Sequence, residues 1–512
     1  MALTEDVTGG GESVGRVTIA DVARAVAGEL SGDGSARVVD VTHDSRQVAA
    51  GWLFVAIRGA KVDAHDFVAG AARAGAAAVL SERERPADYS GAWVRVHEAR
   101  RALALAAAEV HGHPSRRLKL VGLTGTNGKT TTAYLVAAVA EAAGERVALI
   151  STVEYRIAGE RMAAQFTTPE SSDTERVLRR AVERGCGVAV MEASSQALDL
   201  RRCDALRFEV AAFTNLTRDH LDYHGTMEDY FDAKLRLFDA RTGEPPRAAV
   251  VNADDAFGRR AGQAAAVAGA RVLRYGLDSE AEVGARGVSL STGGMRFVLS
   301  TPEGEREVVS PLVGRPHVYN LLTAAACGHA LGLGLDATAR AFETCSGAPG
   351  RFERVAHSGG FAVVVDYAHT DDALAGVLRT ARDLTKGRVI AVFGCGGERD
   401  RTKRAPMGEV AGALSDVVYA TSDNPRGEDP AAILADIEVG LWSAGKPYEK
   451  VLDRREAIRR AVFEARDGDL VLVAGKGHED YQIIGPARHH FDDREVAREA
   501  LAERGLLDHG GA

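Results

Sequence analysis

Cysteine is scarce in this chain. The five present (Cys186, Cys203, Cys327, Cys345 and Cys395) are scattered, with no CxxC pair. That scarcity excludes a disulfide framework or a cysteine-built zinc site, and it reads as reduced thiols in a cytoplasmic protein. Long apolar runs are also missing. None reaches the roughly 18 residues that cross a bilayer, so no stable membrane insertion is expected. The first fifteen residues are Gly- and acid-rich without an apolar stretch, so they are not expected to be a signal peptide, and 1–16 reads as a flexible start. Basic excess is absent as well. A net charge of −9 argues against a nucleic-acid binder or a binder of anionic membranes. Neither low-complexity tracts nor short repeats occur.

What remains is an ordinary globular composition, 46% hydrophobic and 26% charged, over 512 residues. That length exceeds one hydrophobic core, so several domains are expected. Residues 17–114 are mixed, with strand candidates at RVVDVTHDS, GWLFVAI and AAAVL. The polar, basic HGHPSRRLK (111–119) reads as a linker. From 115 to 348, short apolar strands (KLVGLTG, RVALIST, VAVMEAS, VAAFTNL, AAVVNAD, RVLRYG) alternate with helical stretches, the rhythm of a parallel sheet covered by helices. GVSLSTGGMRFVLSTPEGEREVVSP alternates with period two and predicts an antiparallel patch. After GAPGR, residues 349–512 carry AVVVDYAH, VIAVFGCGG, VVYATSD and DLVLVAGKG, each an apolar strand ending in a polar or Gly-rich loop. Ligands of open α/β sheets collect at such carboxyl ends. The expectation is an α/β protein of three domains. Its centre is a P-loop ATPase-like parallel sheet and its C-terminal domain is Rossmann-like.

The stretch VGLTGTNGKTTT (121–132) departs from the common phosphate-loop pattern, which would place its first glycine at Leu123. A phosphate cradle needs a tight turn, inward backbone N–H groups, a lysine and a helix N-terminus. Strand KLVGLT, loop GTNGK and helix TTTAYLVAAVAEAAG supply all four. Gly125 and Gly128 can take positive φ, Lys129 can reach the outer phosphates, and Thr130 can hold Mg2+. Gly125 makes the turn one step later than usual.

GTNGKT after an apolar strand resembles the phosphate loop of the Mur ligases, which join a carboxylate to an amine at the expense of ATP. MEASSQAL (191–198), FTNLTRDHLDYHG (213–225), NADD (252–255), HVYNLLTA (317–324), GRFE (350–353), VVDYAHT (364–370), FGCGGERD (393–400), DNPR (423–426) and AGKGHEDYQ (474–482) follow in the family's order.

The resemblance implies a two-step reaction through an acyl phosphate, with ATP and Mg2+. Gly125, Thr126, Asn127, Gly128, Lys129, Thr130, Thr131, Asn320 and Arg351 would contact ATP. Glu192 and His220 would help hold Mg2+ with Thr130; residue type alone favours a surface glutamate and a structural histidine, and the surrounding motifs reverse that. Lys234, on helical spacing a solvated lysine, would be carbamylated and bind a second Mg2+. Lys129, Glu192, His220 and Lys234 form the expected catalytic set. A UDP-N-acetylmuramoyl dipeptide (UDP-MurNAc-L-Ala-D-Glu) would sit on His43, Ser45, Thr167, Thr168, Ser194 and Arg202. Leu200 stands where relatives carry glutamine, and Asp371 where they often carry proline.

DNPR is either turn chemistry or, within this family, the mark of diaminopimelate as the incoming amino acid. Arg399, Asp423, Asn424, Pro425, Arg426, Gly475 and Glu479 are the residues expected around it. Arg426 offers a planar fork for a carboxylate, while Glu479 and the Gly475 carbonyl accept from an ammonium. A lysine-adding ligase or a folyl-polyglutamate synthetase is disfavoured by DNPR and by the N-terminal domain. A switch ATPase is disfavoured by the third α/β domain. A monomer is expected.

Overall fold

The structure, a computed structural model, describes residues 17–59 and 62–507. The expected flexible start therefore lies outside the described residues, as do Ala60 and Lys61. The chain divides into two compact units. The first holds residues up to Gly284 together with Ser300–Gly304 and Leu322–Thr338, and the second holds Ala285–Leu299, Glu305–Leu321 and Ala339 onward.

Within the first unit, residues before 115 build their own five-stranded sheet in the order Glu29–Ser31, Ala92–Arg95, Ala78–Ser81, Trp52–Ala56, Asp40–Thr42. Only the pairing of Glu29–Ser31 with Ala92–Arg95 is antiparallel. WLFVA is apolar throughout because both faces are covered: Leu53 and Val55 enter one cluster, Phe54 and Ala56 the other.

The central sheet places Lys119–Thr124 between Val188–Glu192 and Val210–Phe213, all parallel. Ala248–Asn252 and Arg271–Gly276 extend it on one side and Val147–Ile150 on the other. Register aligns Glu192 with Leu123 and Phe213 with Thr124. The segments leaving these strands therefore start side by side at one carboxyl edge. An antiparallel ribbon, Glu154–Ile157 and Glu160–Ala163, continues from Val147–Ile150. The polar sequence around Ala158-Gly159 hid it. The period-two stretch forms strands Val283–Ser291, Gly294–Thr301 and Gly304–Ser310, joined at Gly294 and Gly304 with φ of 144° and 127°. The HGHPSRRLK segment is not a bare linker. It contains a 3-10 turn, Pro114–Arg116, with Ser115 buried.

The second unit's sheet runs Glu353–Val355, Ala362–Asp366, Leu470–Ala474, Val389–Phe393, Val417–Thr421, Tyr448–Val451, parallel except at the first strand. Along LVLVA, Leu470, Leu472 and Ala474 pack to one side and Val471 and Val473 to the other, under helices on both faces. Asp366 pairs with Ala474, and the loops after Asp366, Phe393, Thr421 and Ala474 share one edge of the sheet.

Candidate active site

The phosphate loop bridges strand Lys119–Thr124 and helix Lys129–Ala142. Gly125 has φ 143° and Gly128, the helix cap, φ 87°. A Cβ at Gly125 would lie 1.9 Å from Thr214 Oγ1. Conformation and space thus both demand glycine at the displaced position. The loop is clamped by the segment after Phe213. Thr126 N–H donates to Asn215 O (2.8 Å), Asn127 N–H to Asn215 Oδ1 (3.0 Å), and Thr214 Oγ1 to Asn127 O (2.6 Å). Lys129 Nζ donates to Gly125 O and Thr126 O, each at 2.9 Å. Thr130 and Thr131 are buried in the first helical turn.

Glu192 ends its strand fully buried. Its Oε2 accepts from Thr130 Oγ1 (3.0 Å), while Oε1 accepts from Thr152 N–H (2.8 Å) and Thr152 Oγ1 (3.1 Å). Thr152 Oγ1 is 3.1 Å from Thr167 Oγ1. Thr168 Oγ1 donates to Glu192 O (2.8 Å) and lies 3.3 Å from Ser194 Oγ, and Arg202 Nη1 donates to Thr168 O (3.0 Å). Arg202 Nη2 also pairs with Glu170 at 2.7 Å. Four residues expected on the acceptor, Thr167, Thr168, Ser194 and Arg202, thus adjoin the Thr130–Glu192 pair. Thr152, which links them, was missed. It follows an apolar strand in a loop with no signal of its own. In the N-terminal sheet, His43 follows strand Asp40–Thr42, and its Nδ1 is buried without a hydrogen-bond partner among the described residues. Ser45 opens the turn Ser45–Gln47.

Lys234 is not a solvated lysine. On helix Met227–Leu235 it is 1% exposed, donates to Gly125 O at 2.9 Å, and stands 4.3 Å from the centroid of the Tyr230 ring. Burial, then the charge of Lys129, pulls its pKa well below the ordinary lysine range against the opposing pull of Asp219. Tyr230, also missed, connects this group. Its hydroxyl is 3.2 Å from Thr126 Oγ1 and its ring lies edge-on to His220, with ring centroids 6.0 Å apart. His220 itself is half exposed beside Asp219 (3.6 Å). It has no hydrogen bond to Thr130 or Glu192. Among the described residues, no group of three or more His, Cys, Asp or Glu side chains could hold a metal ion. The oxygen pair of Thr130 and Glu192 is nevertheless of the kind Mg2+ takes alongside substrate phosphates.

In the second unit, Asn320 is buried on helix Arg315–Leu331, and the Arg351 guanidinium lies 4.6 Å from the centroid of the Tyr367 ring. Asp366 accepts from Phe352 N–H and Ala368 N–H, each at 2.7 Å, so it organises the two loops rather than capping the next helix. Thr370 is that cap.

The DNPR loop follows strand Val417–Thr421. Arg426 adopts φ 52°, rare for a residue with a side chain. Its N–H donates to Ile483 O (3.0 Å) and its carbonyl accepts from Gly485 N–H (2.8 Å). Nη1 donates to Gly397 O (2.7 Å), and Nε and Nη2 make no hydrogen bond among the described residues, leaving one edge of the fork. A Cβ at Gly396 would lie 3.0 Å from Arg426 Nη1 and 3.6 Å from Arg399 Cγ, so both arginines border that glycine. Pro425 is buried and its carbonyl packs on Gly397. Asn424 Nδ2 donates to Glu479 Oε2 (2.9 Å), Gln482 Nε2 to Asp423 O (2.8 Å), and Gly475 takes φ 118° against the Asp423 carboxylate. The residues expected around the amino acid are gathered at one sheet edge.

Three consecutive stretches match family profiles: "Mur ligase family, catalytic domain" over 37–122, "Mur ligase middle domain" over 123–328, and "Mur ligase, glutamate ligase domain" over 350–477. The chain belongs to the Mur ligase family. A relative from Geobacter metallireducens, UDP-N-acetylmuramoyl-L-alanyl-D-glutamate--2,6-diaminopimelate ligase, is 47% identical over 503 residues, covering 94% of this chain and 98% of its own. The Solibacter usitatus protein of the same name is 48% identical over 464 residues, covering 91% and 93%. Among Mur ligases of solved structure, one bearing that name superposes with TM-score 0.71 at 33% identity, covering 96% of this chain and 99% of its own. A Thermotoga maritima MurF ligase in complex with ADP shares the fold, with TM-score 0.58 at 19% identity and coverage of 91% and 96%.

Proposed function

We propose that this chain adds 2,6-diaminopimelate to UDP-N-acetylmuramoyl-L-alanyl-D-glutamate, with ATP giving ADP and phosphate, in peptidoglycan precursor synthesis in the cytoplasm. Relatives bearing that name, 44–48% identical over at least 91% of this chain, support the reaction. The observation that carries the amino-acid choice is the DNPR cluster. An open guanidinium edge on Arg426 and a carboxylate on Glu479 border one sheet edge, complementary to an amino acid bearing both carboxylate and ammonium at its far end. Lysine lacks that carboxylate and would leave Arg426 desolvated and unpaired.

In this reading the acceptor carboxylate attacks the γ-phosphorus of ATP and forms an acyl phosphate. The amine of diaminopimelate then displaces phosphate. Backbone N–H groups of the 125–130 loop and Lys129 hold the triphosphate, with no nucleophile required of the protein. Thr130 and Glu192 would hold Mg2+, which neutralises phosphate charge when bound. Glu192 is aimed by its hydrogen bonds from Thr152 and Thr130. Thr167, Thr168, Ser194 and Arg202 position the acceptor beside it, with His43 and Ser45 toward its nucleotide end. Asn320 and Arg351 contribute to ATP, and His220 is retained for Mg2+ on the family pattern. Lys234 is carbamylated. Burial and the charge of Lys129 disfavour its ammonium form, the neutral amine is the nucleophile that adds CO2 with loss of a proton, and the resulting anion replaces repulsion of Lys129 by attraction.

An amino-acid panel tests this. Phosphate release should require ATP, the nucleotide dipeptide and diaminopimelate together. Release without acceptor, or with lysine preferred, would refute it.

A further inference from the structure

Lys476 follows Gly475 in the turn after strand Leu470–Ala474, and its side chain is wholly buried. Its Nζ lies 3.3 Å from Glu479 Oε2 and 3.3 Å from Asn424 Oδ1, and 5.4 Å from the centroid of the Tyr481 ring. Asn424 closes the triangle. Its Nδ2 donates to that same Oε2 at 2.9 Å, and its Oδ1 also accepts from Ile483 N–H at 3.0 Å. Two donors facing Oδ1 fix which end of the carboxamide points to Glu479. Both donors to Glu479 converge on Oε2, and Oε1 makes no hydrogen bond among the described residues.

A buried ammonium is costly unless paired, yet both polar partners of this one are residues assigned above to the incoming amino acid. We propose that Lys476 is a positioning residue for that substrate. By tethering Glu479 Oε2 and the Asn424 carboxamide, it presents Glu479 Oε1 to the substrate's ammonium group and holds the DNPR turn that carries Arg426. The inference rests on the reading that this cluster takes the far end of diaminopimelate.

Steady-state kinetics on the full chain test it, varying each substrate separately for wild type, K476M, E479Q and the double variant. Removing two charge-assisted contacts should raise the KM for diaminopimelate about 10- to 100-fold in K476M, with kcat and the KM for ATP and for the nucleotide dipeptide within about twofold. In the E479Q background, K476M should raise that KM by a smaller factor than it does alone, because only the tether to Asn424 remains to be lost. Effects that multiply in the double variant, an unchanged KM for diaminopimelate in folded K476M, or an equal rise in all three KM values would each overturn the proposal. Should K476M lose its fold, K476Q takes its place. It keeps a donor for Glu479 and should show a smaller, still selective rise, and a uniform rise would overturn the proposal. Wild type that ignores diaminopimelate but turns over another amino acid would refute the underlying reading, and this proposal with it.

Discussion

Two lysine amino groups converge on one carbonyl: Lys129 and Lys234 both donate to Gly125 O at 2.9 Å. Lys129 belongs to the loop and packs no core, so Lys129→Ala should abolish ATP turnover and leave the melting temperature near wild type. Normal turnover in the folded variant would remove the loop from the mechanism. Lys234→Ala should lose activity and recover part of it with small carboxylates or high bicarbonate, as replacement of a carbamate predicts. Full activity of Lys234→Gln would argue that no carbamate is needed. For Arg426→Ala, a bidentate charge-assisted contact worth about 2–4 kcal/mol predicts a KM for diaminopimelate raised roughly 30- to 1000-fold. Discrimination against lysine should shrink in the same variant. An unchanged kcat/KM ratio between the two amino acids would mean that DNPR is only a turn.

Helix Ser171–Glu183 carries Glu175, 1% exposed, with neither carboxyl oxygen hydrogen-bonded among the described residues. Burial pushes its pKa up to about 8. A carboxyl whose native pKa is raised binds its proton more tightly folded than unfolded. Stability therefore falls as pH rises from the ordinary value of 4.5 through about 8. Glu175→Gln removes the ionisation but keeps the shape. It should flatten that slope and stabilise the protein at pH above 8 by roughly 1–3 kcal/mol. Urea unfolding between pH 5 and about 9 reads this directly, and parallel slopes in both proteins would refute it.

The N-terminal sheet is tied to the central one, within the first unit, through Arg176 on that same helix. It pairs with Asp40 at 2.7 Å and donates to Val41 O at 2.7 Å, while His111 Nε2 lies 3.1 Å from the same carboxylate. Burial alone would raise the Asp40 pKa, but His111 and Arg176 outweigh it and hold it below the usual range. Its contribution is present above the unfolded value of 3.8 and is lost as pH falls through the lower native value. Arg176→Met leaves the carboxylate buried with His111 alone and should cost about 3 kcal/mol. Differential scanning calorimetry at neutral pH should show an early transition, and unchanged melting would mean that the ion pair ties nothing.

The order of strands and helices was legible because a strand buried on both faces reads as a short apolar run whatever it packs against. The Gly-rich or polar loop ending each run marked the carboxyl edges. Local chemistry likewise marked the strand–loop–helix turn at 124–129, where a lysine, glycines and a helix start lie within a few residues. What the sequence could not express is the environment of a side chain made by distant segments. Lys234 and the Gly125 carbonyl are 109 positions apart, and helical spacing alone reads that lysine as exposed. The Thr214–Asn127 and Lys476–Asn424 contacts span 87 and 52 positions, and no short motif records them. Residue type and local period determined which elements form and which loops end their strands at one edge of each sheet. Only the register of the parallel strands, aligning Glu192 with Leu123 and Phe213 with Thr124, decided which side chains meet there, because pairing is set by packing across the whole sheet.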